Sequence, residues 1–209
     1  MSPDATTRNR TDWTGMVLPA LLLLLFGVCL QQTRWLSLLL LALGIGLVVN
    51  RLIKSSNEDI EALFGFRPCR WRWIVLAAIT GLGLGVLLRW GQDRSLLPWP
   101  MHGFVFMAML IGISEELVFR GYFMGGLLQR GFPMAASVAA LLHTAYKLPI
   151  FIPFADACSL PLLAVLTFGV GALVGWSRKM LGSIWPCVIL HALFDLWVYG
   201  DRTAPWWVW

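Results

Sequence analysis

Charged residues are scarce in this chain. Lys, Arg, Asp and Glu make up 13% of the 209 residues, against 58% hydrophobic ones, and the mean hydropathy of +0.74 lies outside the range of ordinary soluble domains. The length leaves no room for a second folded domain beside the spans such a composition implies. Cysteine is rare and scattered, with Cys29, Cys69, Cys158 and Cys187 forming no CxxC pair, so neither a zinc-finger spacing nor a disulfide framework is indicated. HExxH is absent, which disfavours a zincin-like metalloprotease, and no Ser or Cys sits in a nucleophile motif. The net charge of +5 does not imply nucleic-acid binding, because the basic residues fall between apolar runs rather than on one face.

What is present is a succession of apolar runs, each near the roughly 20 residues that a spanning helix needs. They cover residues 15–30, 36–53, 73–88, 103–128, 134–146, 160–176 and 184–199. The expected fold is all-α: a polytopic transmembrane bundle of about seven spanning helices, one integral membrane domain over residues 1–209. It has a polar N-terminal tail at 1–14 and a Trp-rich tail at 200–209. Gln31, Gln32 and Arg34 follow the first run directly, with no small-residue cleavage site, so that run is read as a span and not as a signal peptide. Asn57 to Phe64 is expected to form a short interfacial helix before Gly65 and Pro68. The pairs Gly81/Gly85 and Gly171/Gly175 have the spacing of close helix packing in lipid, and no strand precedes them to make a nucleotide fingerprint. The fifth helix is expected to be short, ending at Tyr146 before a loop with Pro149, Pro153 and Asp156. Counting Lys and Arg outside seven spans gives about 10 on the N-terminal side and about 5 on the other, which places the N-terminus in the cytoplasm. The expected location is a bacterial plasma (inner) membrane.

Glu115, Glu116 and Asp195 lie deep within apolar helices, and so do His143 and His191. Each buried ionisable group costs about 2.5–3.5 kcal/mol even on insertion scales, so five of them imply a shared polar site. A structural cluster gluing helices together, or a proton or ion pathway, is the plainer alternative. Glu116 and Arg120 are four apart with the acid first, the favoured order for a helical ion pair. Glu115 is turned about 100° from its neighbour and has no partner on its own helix, which makes it the better general base. His191 and Asp195 share a face of the last helix. In seven spans, Glu115, His143 and His191 meet in the cytoplasmic half of the bundle. These three are also a donor set for a metal, the less favoured reading; no cofactor is expected. His102 is assigned an interfacial place, and Asp93 and Asp156 no chemistry.

The sequence Glu115-Glu116-Leu117-Val118-Phe119-Arg120-Gly121, then His143, then His191-Ala192-Leu193-Phe194-Asp195, resembles the CAAX-protease and bacteriocin-processing (CPBP, Abi, type II CAAX prenyl endopeptidase) family of intramembrane proteases, over a core at residues 103–199. The resemblance implies an endopeptidase independent of metal. In it Glu115 activates the attacking water with help from His143, Glu116 and Arg120 support that site, and His191 with position 195 stabilises the oxyanion. The expected partners are the lipid bilayer and a peptide or membrane-protein substrate. Two positions depart from the family pattern. FxxxH becomes Ala139…His143, removing an aromatic wall, and HxxxN becomes His191…Asp195. An Asn amide can donate to an oxyanion, whereas an ionised carboxylate repels it, and one lost donor costs about 10²- to 10³-fold in rate. These departures motivate the second reading, a non-proteolytic relative that binds partner membrane subunits.

Overall fold

The computed structural model describes residues 14–30, 32–54, 57–152 and 159–202. The polar tail at its first thirteen positions, the loop residues Pro153, Asp156 and Cys158, and the Trp-rich terminus from residue 203 lie outside them. The described residues form a helical membrane bundle. The helices are α1 (Thr14–Cys29), α2 (Arg34–Lys54), α3 (Asn57–Phe64), α4 (Trp71–Gly91), α5 (Phe104–Glu116), α6 (Met124–Leu127), α7 (Phe132–Phe151), α8 (Ser159–Leu181) and α9 (Trp185–Tyr199). Between α5 and α6 the helix widens into a π-helical segment, Leu117–Phe123, and after α6 it tightens into a 3₁₀ turn, Leu128–Arg130.

Among the described residues, α4, α7 and α8 are long and apolar enough to cross a membrane, and the apolar stretches of α1, α2 and α9 are shorter. The surface suits lipid. Leu39, Ile79, Leu87, Leu110, Leu162, Val165 and Leu173 are all exposed, and exposed tryptophans stand at helix ends, Trp35 opening α2 and Trp71 and Trp90 at the two ends of α4. Amphipathic rings at such positions belong to the membrane–water boundary.

Small residues set which helices touch. α9 runs between α4 and α5, while α7 runs between α8 and α1. A Cβ on Gly81 would lie 2.3 Å from the Leu190 carbonyl oxygen, and one on Gly85 would lie 2.7 Å from Trp197 Cβ. Gly171 and Gly175 likewise admit α7, the π-helical segment and α6, with a Gly171 Cβ meeting Arg120 Nη2 at 2.8 Å and Ala140 at 3.3 Å, and a Gly175 Cβ meeting Met124 Sδ at 3.3 Å. Both glycine pairs therefore serve helix packing. On α5, a Gly112 Cβ would come within 3.0 Å of the His191–Ala192 backbone. This contact, one turn before the glutamates, brings them against α9.

Two expectations change. Asn57–Phe64 is helical, yet it does more than lie at an interface. Phe64 is buried, and Gly121 and Gly125 leave room for Phe64 and the Leu63 carbonyl. Buried Arg178 of α8 donates to the carbonyls of Leu63 and Arg120, tying α3 to the π-helical segment. The second change is in α7, which does not stop at Tyr146 but continues through Pro149 to Phe151. Proline removes one amide donor and crowds the carbonyl four residues back, but in a membrane bundle neighbouring helices accommodate this. Here Gly27 of α1 lets the Tyr146 carbonyl and the Pro149 ring approach, at 2.9 and 3.6 Å from a Cβ built on it.

At one end of α4 and α9, fully buried Arg89 makes a two-pronged bond to Asp201, Nη2–Oδ2 2.7 Å and Nη1–Oδ1 3.0 Å, and donates to the Val198 carbonyl. Arg94 adds a 2.8 Å contact to the same carboxylate. Bonding to Arg89 holds the Asp201 carboxyl below its usual range. A depressed native value means that this stabilisation is complete above the unfolded-state value and is lost as pH falls through the native one.

Two measurements test this packing. Gly81→Val should lower the thermal midpoint in detergent by an amount equivalent to about 1–3 kcal/mol of overpacking, while Gly83→Val, at an exposed site with nothing near its Cβ, should leave it unchanged. Asp201→Asn should lower the midpoint at neutral pH and flatten its decline on acidification, at a cost between about 1 kcal/mol for an exposed pair and about 3–5 for a buried one.

Candidate active site

The six residues singled out in the sequence come together. Glu115 ends α5 with Glu116, Arg120 follows in the π-helical segment, His143 lies in the middle of α7, and His191 and Asp195 occupy one face of α9. Glu115, Glu116, Arg120, His143 and Asp195 are all buried, and the His191 side chain is 14% exposed. π-helical turns inside α-helices are rare and frequent at functional sites.

Arg120 is the hub. Its Nη1 donates to Glu116 Oε1 at 3.0 Å, the pairing expected from the i, i+4 spacing, and stands 2.9 Å from His143 Nδ1. A guanidinium can only donate, so His143 Nδ1 must accept. The hydrogen of this imidazole is then on Nε2, which donates to Glu115 Oε2 at 2.9 Å. Phe119 stacks on the His143 ring at a centroid distance of 4.6 Å. The aromatic wall that Ala139 does not supply is therefore present, provided from the π-helical segment.

His191 bridges the acids. Its Nδ1 lies 2.7 Å from Glu116 Oε1, and its Nε2 lies 3.5 Å from Glu115 Oε2 and 3.6 Å from Asp195 Oδ2. Carboxylate oxygens thus face both ring nitrogens, and both nitrogens donate only in the doubly protonated ring.

One member of the site was not foreseen. Lys147, buried on α7, places Nζ 2.9 Å from Glu115 Oε2. Ending the helix at Tyr146 had left Lys147 outside it. With α7 continued, Lys147 is one turn after His143 on the same face, and that spacing was the available signal. Glu115, which lacks a partner on its own helix, finds three on other helices. His102 stays apart from the site; its backbone amide donates to the Gly200 carbonyl.

The contacts balance charge. Three carboxylates, Glu115, Glu116 and Asp195, meet Arg120, Lys147 and, when doubly protonated, His191. Glu115 Oε1, Glu116 Oε2, Arg120 Nε and Asp195 Oδ2 are buried and make no hydrogen bond within the described residues.

Above the cluster lies a cavity of about 410 Å³ between α4 and α8. Leu87, Leu166 and Val170 form part of its apolar wall, and Glu116, Arg120, His143, Lys147, His191 and Asp195 form its polar floor. Glu115 does not line it; the carboxylate stands behind His143, Lys147 and His191. The metal donor set Glu115, His143 and His191 does converge. However, the Lys147 ammonium sits against Glu115, the Arg120 guanidinium against His143, and among the described residues no group of three His, Cys, Asp or Glu side chains is arranged to hold a metal.

Ionisable side chains from three helices under an amphipathic cavity form a buried polar site within the membrane bundle. Residues 97–197 match the family described as Type II CAAX prenyl endopeptidase Rce1-like, and the chain thus carries a domain of this family, as its motifs led us to expect. Comparison with curated proteins and with solved structures gives no match.

Removing Arg120 should strand Glu116 and release His143 together. Arg120→Met should cost about 3–5 kcal/mol, read as a lowered thermal midpoint in detergent, with the larger part recovered in Arg120→Met/Glu116→Gln.

Proposed function

We propose that this protein is an intramembrane endopeptidase in which Glu115 activates the water that attacks a peptide carbonyl. The observation that carries the reading is the 2.9 Å bond from His143 Nε2 to Glu115 Oε2 beneath the amphipathic cavity. One carboxylate oxygen is held by His143 and Lys147, and the other makes no hydrogen bond within the described residues. A base fixed through one oxygen can take the water proton on the other. Arg120, through Glu116 and His143, sets the orientation of both. His191, a donor on the cavity floor, faces the developing oxyanion, and its charge compensates for the loss of the amide at position 195. Water is the nucleophile, no acyl-enzyme forms, and no metal takes part. The apolar walls suit a substrate with a hydrophobic segment or lipid group, as the Rce1-like family description implies. We place the site in the cytoplasmic half of a bacterial inner membrane, with the N-terminus in the cytoplasm.

One observation favours a second reading. Each carboxylate of the site already has a cation beside it, and Glu115 is covered by Lys147. A non-proteolytic membrane subunit, using the cluster as a structural core to bind partner helices, would have such an arrangement.

The two readings part on one substitution. In lipid nanodiscs with a C-terminally prenylated peptide, Glu115→Gln should lower cleavage by at least about 10²-fold, the scale of a lost general base. Cleavage unaffected by the change would rule out the catalytic reading; recovery of the unmodified protein only in a stoichiometric complex, with no cleavage, would favour the second.

A further inference from the structure

Asp195 is the carboxylate that the site has in excess of the family pattern, and Lys147 is the cation that the motifs do not include. Both line the same cavity floor. Lys147 is bonded to Glu115 at 2.9 Å, while Asp195 Oδ2, on a residue only 1% exposed, makes no hydrogen bond within the described residues and meets only His191, at 3.6 Å. His191 Nε2 stands 3.5 Å from Glu115 Oε2 and 3.6 Å from Asp195 Oδ2, so the two carboxylates flank one imidazole beside Lys147. A lysine carries its charge on a flexible four-carbon stem, so small torsional changes can carry Nζ from one carboxylate towards another.

We propose that Lys147 is a positioning residue shared between Glu115 and Asp195, holding Glu115 in the resting site and moving to Asp195 when water and substrate take its place. The inference rests on the reading of Glu115 as the base. Lys147 stands between Glu115 and the cavity, and an ammonium 2.9 Å from Oε2 stabilises the charged carboxylate and so lowers the basicity of Oε1, the oxygen open to the water proton. Its departure opens the carboxylate to the cavity. Asp195 receives the ammonium, so the lysine charge is not left unpaired in the low-dielectric floor, while Glu115 keeps the His143 bond and His191 at 3.5 Å. No proton is transferred in this step; only the partner of the ammonium changes. The aspartate at position 195 thus has a use that an asparagine would lack.

The test is a double-mutant cycle on the full chain in nanodiscs with Lys147→Met, Asp195→Asn and both together. In melting, Asp195→Asn should be neutral or destabilising in the unmodified protein and should raise the thermal midpoint of Lys147→Met, because it removes one of three carboxylates that then face only two cations. In turnover, Asp195→Asn should lower kcat roughly tenfold with KM unchanged, since the ammonium then stays on Glu115, and should cause no further fall in kcat when added to Lys147→Met. Additive melting shifts, or equal effects of Asp195→Asn in both backgrounds, would overturn the sharing whether or not cleavage is seen. If no form cleaves peptide, the proteolytic reading fails while the melting cycle still decides whether the two side chains are coupled.

Discussion

Glu115 and Glu116 are adjacent in the chain, so two carboxylates enter an apolar bundle at one depth, and cations have to reach them from different directions. Much of the packing around the site follows from this. Glu116 is served along its own helix by Arg120 and from α9 by His191. Glu115 points away and depends on α7, which brings both His143 and Lys147. α7 and α9 must therefore reach the two glutamates from separate sides; Gly112 removes the bulk that would hold α9 off α5, and Gly171 of α8 leaves room for Arg120 and for Ala140 of α7. A Cβ at Gly171 would stand 2.8 Å from Arg120 Nη2, so even a glycine on a neighbouring helix is tied to the geometry of the acids.

The same contacts fix protonation by geometry. Arg120 obliges His143 to accept on Nδ1 and so to donate on Nε2, and the three carboxylates around His191 call for donors on both of its nitrogens. Two histidines in one small site thereby take different forms: His143 a neutral donor to Glu115, His191 a charge-compensating donor near the cavity. In the proposed reaction this separation lets one polar cluster support a base and an electrophile side by side.

Much of this was legible in residue spacing, because local spacing survives folding. Glu116 and Arg120 pair as i, i+4 neighbours, the two glycine pairs pack helices, and Asn57–Phe64 is a helix. What spacing could not carry was anything set by a neighbouring helix. Pro149 looked like a helix stop, and reading it so removed Lys147 from the face of His143; the approach of α1 at Gly27 lets the helix continue. Ala139 looked like a missing wall, but the π-helical turn, which has no sequence signature, presents Phe119 instead. Arg89 follows directly on the apolar run at 73–88, while its partner Asp201 lies far along the chain and is found only by folding.

In the proposed reaction a water activated by Glu115 attacks the peptide directly. Single-turnover cleavage of a prenylated peptide in heavy-oxygen water, read by mass spectrometry of both the product and the intact protein, tests it most directly. Direct attack by water should leave one heavy oxygen in the newly formed carboxylate and no covalent adduct on the protein, with the labelled product lost in Glu115→Gln. A trapped acyl-protein, or labelled product formed equally well by Glu115→Gln, would contradict it.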